Sequence, residues 1–87
     1  MKKTESGFEY SLSDTVKDDF ELVEVIQEFT EGNKLVAPTL IKRLLGPEQY
    51  DRLKEHCRTA DGIVSTAQML NEATEILNDK GDKELKN

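Results

Sequence analysis

Residues 37–57 read Ala37-Pro38-Thr39-Leu40-Ile41-Lys42-Arg43-Leu44-Leu45-Gly46-Pro47-Glu48-Gln49-Tyr50-Asp51-Arg52-Leu53-Lys54-Glu55-His56-Cys57. Leu40, Ile41, Leu44 and Leu45 gather on one side of a helix of about 3.6 residues per turn. Pro38 suits the first turn, where a missing N–H costs nothing, so a helix is expected over 37–45. Gly46 accepts the conformation that ends it, and Pro47 sets φ for the first position of the next helix. That helix is expected over 47–59, with the narrow apolar face Tyr50, Leu53, Cys57 and with Glu48 near its positive end. Two short helices with no linker between them point to a mainly helical fold.

Upstream, Leu22, Val25, Ile26 and Phe29 share one side of a helix expected over 17–31, which ends at Gly32-Asn33. Any of Ser13, Asp14 or Asp18 is suited to cap it. Glu21, Glu24, Glu28 and Glu31 line another side, and Phe20 fits neither face, so it is expected to pack at the helix start. Phe8, Tyr10 and Leu12 alternate with Glu9 and Ser11, the period of a half-buried strand. Residues 1–6 are polar and read as a flexible N-terminus.

Downstream, residues 59–62 are a loop, and Ile63-Val64 are β-branched residues just before Ser65. They either form a very short strand against 8–12 or only anchor the loop in the core. Ser65 is the expected N-cap of a helix over 66–78, where Met69, Leu70, Ala73, Ile76 and Leu77 share a face. Residues 79–87 read as a flexible charged tail. The expected fold is one domain over 7–78: four short helices and an N-terminal β-strand, with Ile63-Val64 as candidate partner.

The chain has 87 residues, 12 Lys+Arg, 18 Asp+Glu and a net charge of −6. A domain this small has one modest core, which a partner or a second copy often completes. Its single Cys allows no internal disulfide and fits a reducing compartment. No apolar run is long enough to span a bilayer, and the basic start leads into no apolar stretch, so neither a membrane anchor nor a signal peptide is expected. The charge is unevenly spread. Residues 1–34 hold 4 basic and 9 acidic groups, net −5; residues 35–60 hold 5 and 3, net +2; residues 61–87 hold 3 and 6, net −3. The basic segment is Lys42, Arg43, Arg52, Lys54 and Arg58, and its neighbours Glu48 and Asp51 stand at pairing distance from Arg52 and Lys54 along a helix. A net +2 between acidic segments argues against nucleic-acid binding, while opposite charge in different segments suits head-to-tail self-association or a mixed-charge partner.

Catalytic chemistry finds little support. His56-Cys57 is the one tempting pair, yet adjacent helical side chains diverge by about 100°, which leaves a core Cys beside a surface His. Arg52 and Ala60, one turn either side of His56, are not metal ligands. The carboxylates of the first helix read as a solvated face, and no phosphate-binding glycine loop is present. A non-enzymatic protein without metal or cofactor is expected.

Three segments together carry a resemblance. They are Asp18-Asp19-Phe20-Glu21-Leu22-Val23-Glu24, the run Leu44 to His56 with its Leu44-Leu45-Gly46-Pro47-Glu48-Gln49 turn, and Asp61-Gly62-Ile63-Val64-Ser65-Thr66. Over about residues 8–77 the pattern resembles small tail assembly chaperones of long-tailed phages and prophages of Gram-positive bacteria. The resemblance implies a cytoplasmic protein of the bacterial host that binds the tape-measure protein, helps tail tube subunits polymerise around it, often self-associates, and is not retained in the finished tail. It supplies no catalytic residue. A chaperone of this kind can offer an apolar groove between short helices, rimmed by charge. The candidate rim is Glu21, Glu24, Glu28 and Glu31 with Lys42, Arg43 and Arg52, each of which is otherwise a plain solvated residue. The other readings are an acidic DNA mimic that inhibits a host nucleic-acid-binding protein, and a small regulatory DNA-binding protein using the third helix.

Overall fold

A computed structural model describes residues 2–86, with side chains described over 2–78 apart from Lys17. Four α-helices follow a short N-terminal hairpin: α1 (Phe20–Thr30), α2 (Ala37–Leu45), α3 (Pro47–His56) and α4 (Thr66–Lys86). The hairpin strands are β1 (Lys2–Lys3) and β2 (Glu9–Tyr10). The mainly helical architecture and the N-terminal strand are as the apolar spacing requires.

The middle of the fold is α2, which packs against α1, α3 and α4. Leu40, Ile41, Leu44 and Leu45 are all buried, and Ala37 joins them. Full burial of each such side chain is worth about 1.5–3 kcal/mol. Gly46 takes φ +86° and ψ 160°, a region essentially reserved for glycine, and this turns the chain directly from α2 into α3. Leu53 and Cys57 of the α3 stripe are buried, with Tyr50 half-buried at its edge.

The start of α1 differs from the sequence expectation. Ser13 caps a separate 3₁₀ turn, Asp14–Asp18, by accepting from the Thr15 N–H at 3.2 Å. Asp19 then caps α1 by accepting from the Leu22 N–H at 3.1 Å. Starting the helix at Phe20 puts Leu22 and Phe29 in the core and turns Phe20 outward, 72% exposed, so it does not pack at the helix start. The opposite end behaves as expected: Gly32 has φ +108° just after the helix.

The N-terminal strand finds another partner. Lys2 and Lys3 pair antiparallel with Tyr10 and Glu9, so the polar first residues form a hairpin arm, and Thr4 within it is buried. Thr4 N–H donates to the Phe8 carbonyl and Gly7 N–H to the Thr4 carbonyl, each at 2.9 Å, which closes the turn. The alternation holds, with Phe8 and Tyr10 buried and their rings stacked 6.3 Å apart. Ile63-Val64 does not join this strand. Val64 forms one bridge with Arg58, Thr59 N–H donates to the Ile63 carbonyl at 2.7 Å, and Ile63 is left 64% exposed. A loop of a few residues closes on itself at less entropic cost than pairing with a strand some fifty residues away. The same closure stops α3 at His56 rather than at 59.

Ser65 caps α4 as expected, accepting from the Gln68 N–H at 3.2 Å. The helix continues to Lys86, past the 78 boundary read from the pattern. The side chains of residues 79–87, read from sequence as a charged tail, lie outside the described residues. Among the described residues, no helix is long and apolar enough to cross a membrane.

Candidate functional site

A groove of about 310 Å³ opens where α2, α3 and α4 meet. Ala37, Pro38 and Ile41 form its α2 wall, and Met69, Leu70 and Val64 form the opposite wall. Tyr50 and Lys54 come from α3. The last side is the 3₁₀ turn Lys34–Val36, held by Asn33, whose side chain accepts from the Leu35 N–H at 3.2 Å. That turn throws Leu35 outward, 90% exposed, at the mouth of the groove.

The rim is basic. Lys54 Nζ lies 4.7 Å from the Tyr50 ring centroid and 3.5 Å from Asp51. Lys34 Nζ lies 4.7 Å from the Phe29 ring centroid. Each lysine lays its ammonium group over an aromatic ring beside the groove. Ala37 and Ile41 are the buried floor of the apolar walls, while Val64, Met69 and Leu70 are half-buried and Pro38 is exposed.

The other side of α4 carries a polar cluster. Ser6 Oγ donates to Glu72 Oε2 at 2.7 Å and lies 2.9 Å from His56 Nε2. Gln68 Nε2 donates to the same Glu72 oxygen at 3.3 Å. Glu72 is 2% exposed, and its Oε1 has no protein partner. The Glu5 N–H donates to Glu75 Oε2 at 2.7 Å alongside. These contacts bring serine, histidine and a carboxylate together in the wrong order for nucleophile activation. The one hydroxyl proton of Ser6 goes to Glu72, so Ser6 must accept from His56, which then cannot serve as its base. Cys57 is no better placed: burial first, and the Glu72 charge second, push its thiol up to about 11 from 9.0. It stays protonated and is not a nucleophile at neutral pH. A wider depression of about 600 Å³ beside the hairpin has only Phe8 as an apolar side chain, among Glu9, Asp51, Arg52, Glu55 and His56. Among the described residues, no group of three or more His, Cys, Asp and Glu could hold a metal ion.

The residues singled out from sequence do not line the groove. Glu24, Glu28 and Glu31 are exposed on the outer face of α1. Glu21 pairs with Arg43, which also reaches Asp19 at 3.2 Å and so ties α2 to the start of α1. Arg52 donates to the Glu9 carbonyl at 3.3 Å and covers the Phe8 ring at 5.3 Å, rather than turning back to Glu48. Lys42 is exposed on α2. The structure brings Glu21 and Arg43 together and spends Arg43 and Arg52 on holding elements in place. The groove's own cations, Lys34 and Lys54, were not among the candidates. A signal existed for Lys54, which stands four residues after Tyr50 on the same expected helix, but not for Lys34, which follows Phe29 by five residues across the helix end at Gly32. Glu72 was also missed, although it lies one turn before Ile76 at the margin of the apolar face of α4.

Comparison with known protein families, with curated proteins and with solved structures gave no match for this chain.

Proposed function

We propose that this chain is a non-enzymatic binding protein that holds an amphipathic helical segment of a partner in the groove between α2, α3 and α4. The observation that carries this reading is the accessible apolar groove with Leu35 at its mouth and Lys34 and Lys54 on its rim. A helix offering a bulky apolar residue to the walls and a carboxylate to either lysine fits that chemistry. The sequence resemblance supplies the setting: a tail assembly chaperone of a phage or prophage, acting in the bacterial cytoplasm on the tape-measure protein, assisting tail tube assembly and leaving the finished tail. A tape-measure protein is long and helical, so one modest groove engaged many times along it suits the task better than a deep pocket. Arg43 and Arg52, already engaged within the chain, are poor candidates for phosphate contacts, which counts against the DNA-binding reading. The acidic face of α1 is one helix long and carries Phe20 and Val23, which counts against DNA mimicry.

The test is co-expression with the neighbouring tape-measure protein. A soluble complex is expected, with capture reduced about tenfold by Leu35→Ser, the size of a modest interface hot spot. A tape-measure protein equally insoluble with and without this chain, and no complex, overturns the reading.

A further inference from the structure

The large apolar side chains that are exposed among the described residues are four: Phe20, Val23, Leu35 and Ile63. Leu35 lines the groove, and Ile63 does not. Phe20 and Val23 lie on the outer face of α1, away from the buried Leu22 and Phe29. At about 100° per residue, Phe20, Val23, Glu24, Gln27 and Glu31 span an arc of about 100°, with Glu28 at its edge. One patch is therefore apolar with lysines at its rim, and the other is apolar with carboxylates at its rim.

We infer that the outer face of α1 from one copy of this chain seats in the groove of a second copy. The inference rests on the groove being a binding site, as proposed above, and names a further occupant for it. Charge complementarity favours a second copy as the occupant. Glu24, Glu28 and Glu31 are exposed, and none of them is held by a cation among the described residues: there Glu28 accepts from Asn33 and Glu31 from Gln27. The carboxylates left over on α1 match the two lysines at the groove, and Phe20 and Val23 supply the bulky side chains its walls accept. The two patches are built from different elements, the one from α1 and the other from α2, α3, α4 and the turn Lys34–Val36, so that a contact between copies pairs them. The contact joins unlike surfaces. It closes as a dimer where two such contacts form about one axis and runs on as a chain where they do not. Self-association of this kind keeps both apolar patches covered until a partner helix displaces α1.

Sedimentation velocity of the full chain tests this. The sedimentation coefficient is expected to rise between about 10 and about 500 µM, as for a small interface of modest affinity, and to fall back when salt is raised from about 0.05 to about 0.5 M. Phe20→Ser and Leu35→Ser, both at exposed positions, should each leave the chain folded and monomeric. The triple variant Glu24→Lys, Glu28→Lys, Glu31→Lys and the double variant Lys34→Glu, Lys54→Glu should each be monomeric alone and associate when mixed. A monomer at all concentrations overturns the inference, and so does a mixture that stays monomeric. The outcomes are separable from those of the binding reading. Partner capture that survives in a protein that never self-associates removes the α1 contact alone. Capture and self-association both unaffected by Leu35→Ser remove the groove itself.

Discussion

The two sides of α4 are finished differently. On one side Ser6 and Gln68 donate to a buried Glu72, and the N-terminal hairpin is fastened down. On the other, Met69 and Leu70 form half of an apolar groove that no described residue fills. Hydrogen bonds are directional, so the clasp sets one position for the hairpin. Apolar contact is not directional, so the groove can accept more than one helix. A buried carboxylate is costly unless paired, and Glu72 keeps an unpartnered oxygen. The contrast sets polar burial that fixes a position against apolar surface that is left accessible.

The strongest way to break the contrast is to remove what both sides share. Ile76→Ala or Leu53→Ala, at fully buried positions, should lower the unfolding free energy by about 2–5 kcal/mol in urea titrations and weaken clasp and groove together. Ser6→Ala should act on the clasp alone, costing about 1–3 kcal/mol because Glu72 loses its shortest hydrogen bond inside the protein. Glu72→Gln keeps an acceptor for Ser6 and removes a buried charge, so its effect should stay within about 1 kcal/mol. The reverse order for these two variants would mean that the charge, not the hydroxyl contact, holds the hairpin.

The clasp also leaves a signature in pH. The Cys57 thiol titrates near 11 in the folded chain and near 9.0 in an unconstrained one. The folded state thus holds its proton to higher pH, and the stability this contributes is fully present below about 9 and lost as pH climbs through about 11. Ultraviolet absorbance of the thiolate should follow the higher value, and Glu72→Gln should move it partway down, since the Glu72 charge is the smaller of its two causes. The smallest effect on stability belongs to the groove. Leu35→Ser should change the unfolding free energy by no more than about 0.5 kcal/mol while reducing partner capture. A large loss of stability there would mean that Leu35 serves the core after all.

Legibility followed the range of the interaction. The α2–α3 pair could be read because Gly46-Pro47 and the leucine spacing act within one or two turns. The cap of α1 was missed: Ser13, Asp14 and Asp18 were the candidates, and Asp19, equally competent locally, is the residue that caps it. Burial of Leu22 one turn later decides for Asp19. The strand partner was misplaced for a similar reason. Pattern shows that Phe8–Tyr10 needs a neighbour, but Lys2-Lys3 carries no strand signal and pairs only because the Thr4–Gly7 turn folds it back. Of the candidate rim residues, Glu24, Glu28 and Glu31 are exposed on α1, while Arg43 and Arg52 make contacts that tie elements together, which spacing along the chain does not record.

By itself the sequence determined the helices, their buried stripes, the Ser65 cap and the segregation of acid from base, because each depends on neighbours along the chain. Only the tertiary structure decided that Glu72 is buried under Ser6, that Lys34 and Lys54 share one rim, and that Phe20 and Leu35 face outward in separate patches. Those facts depend on residues from distant segments meeting, and spacing along a chain carries no record of such meetings.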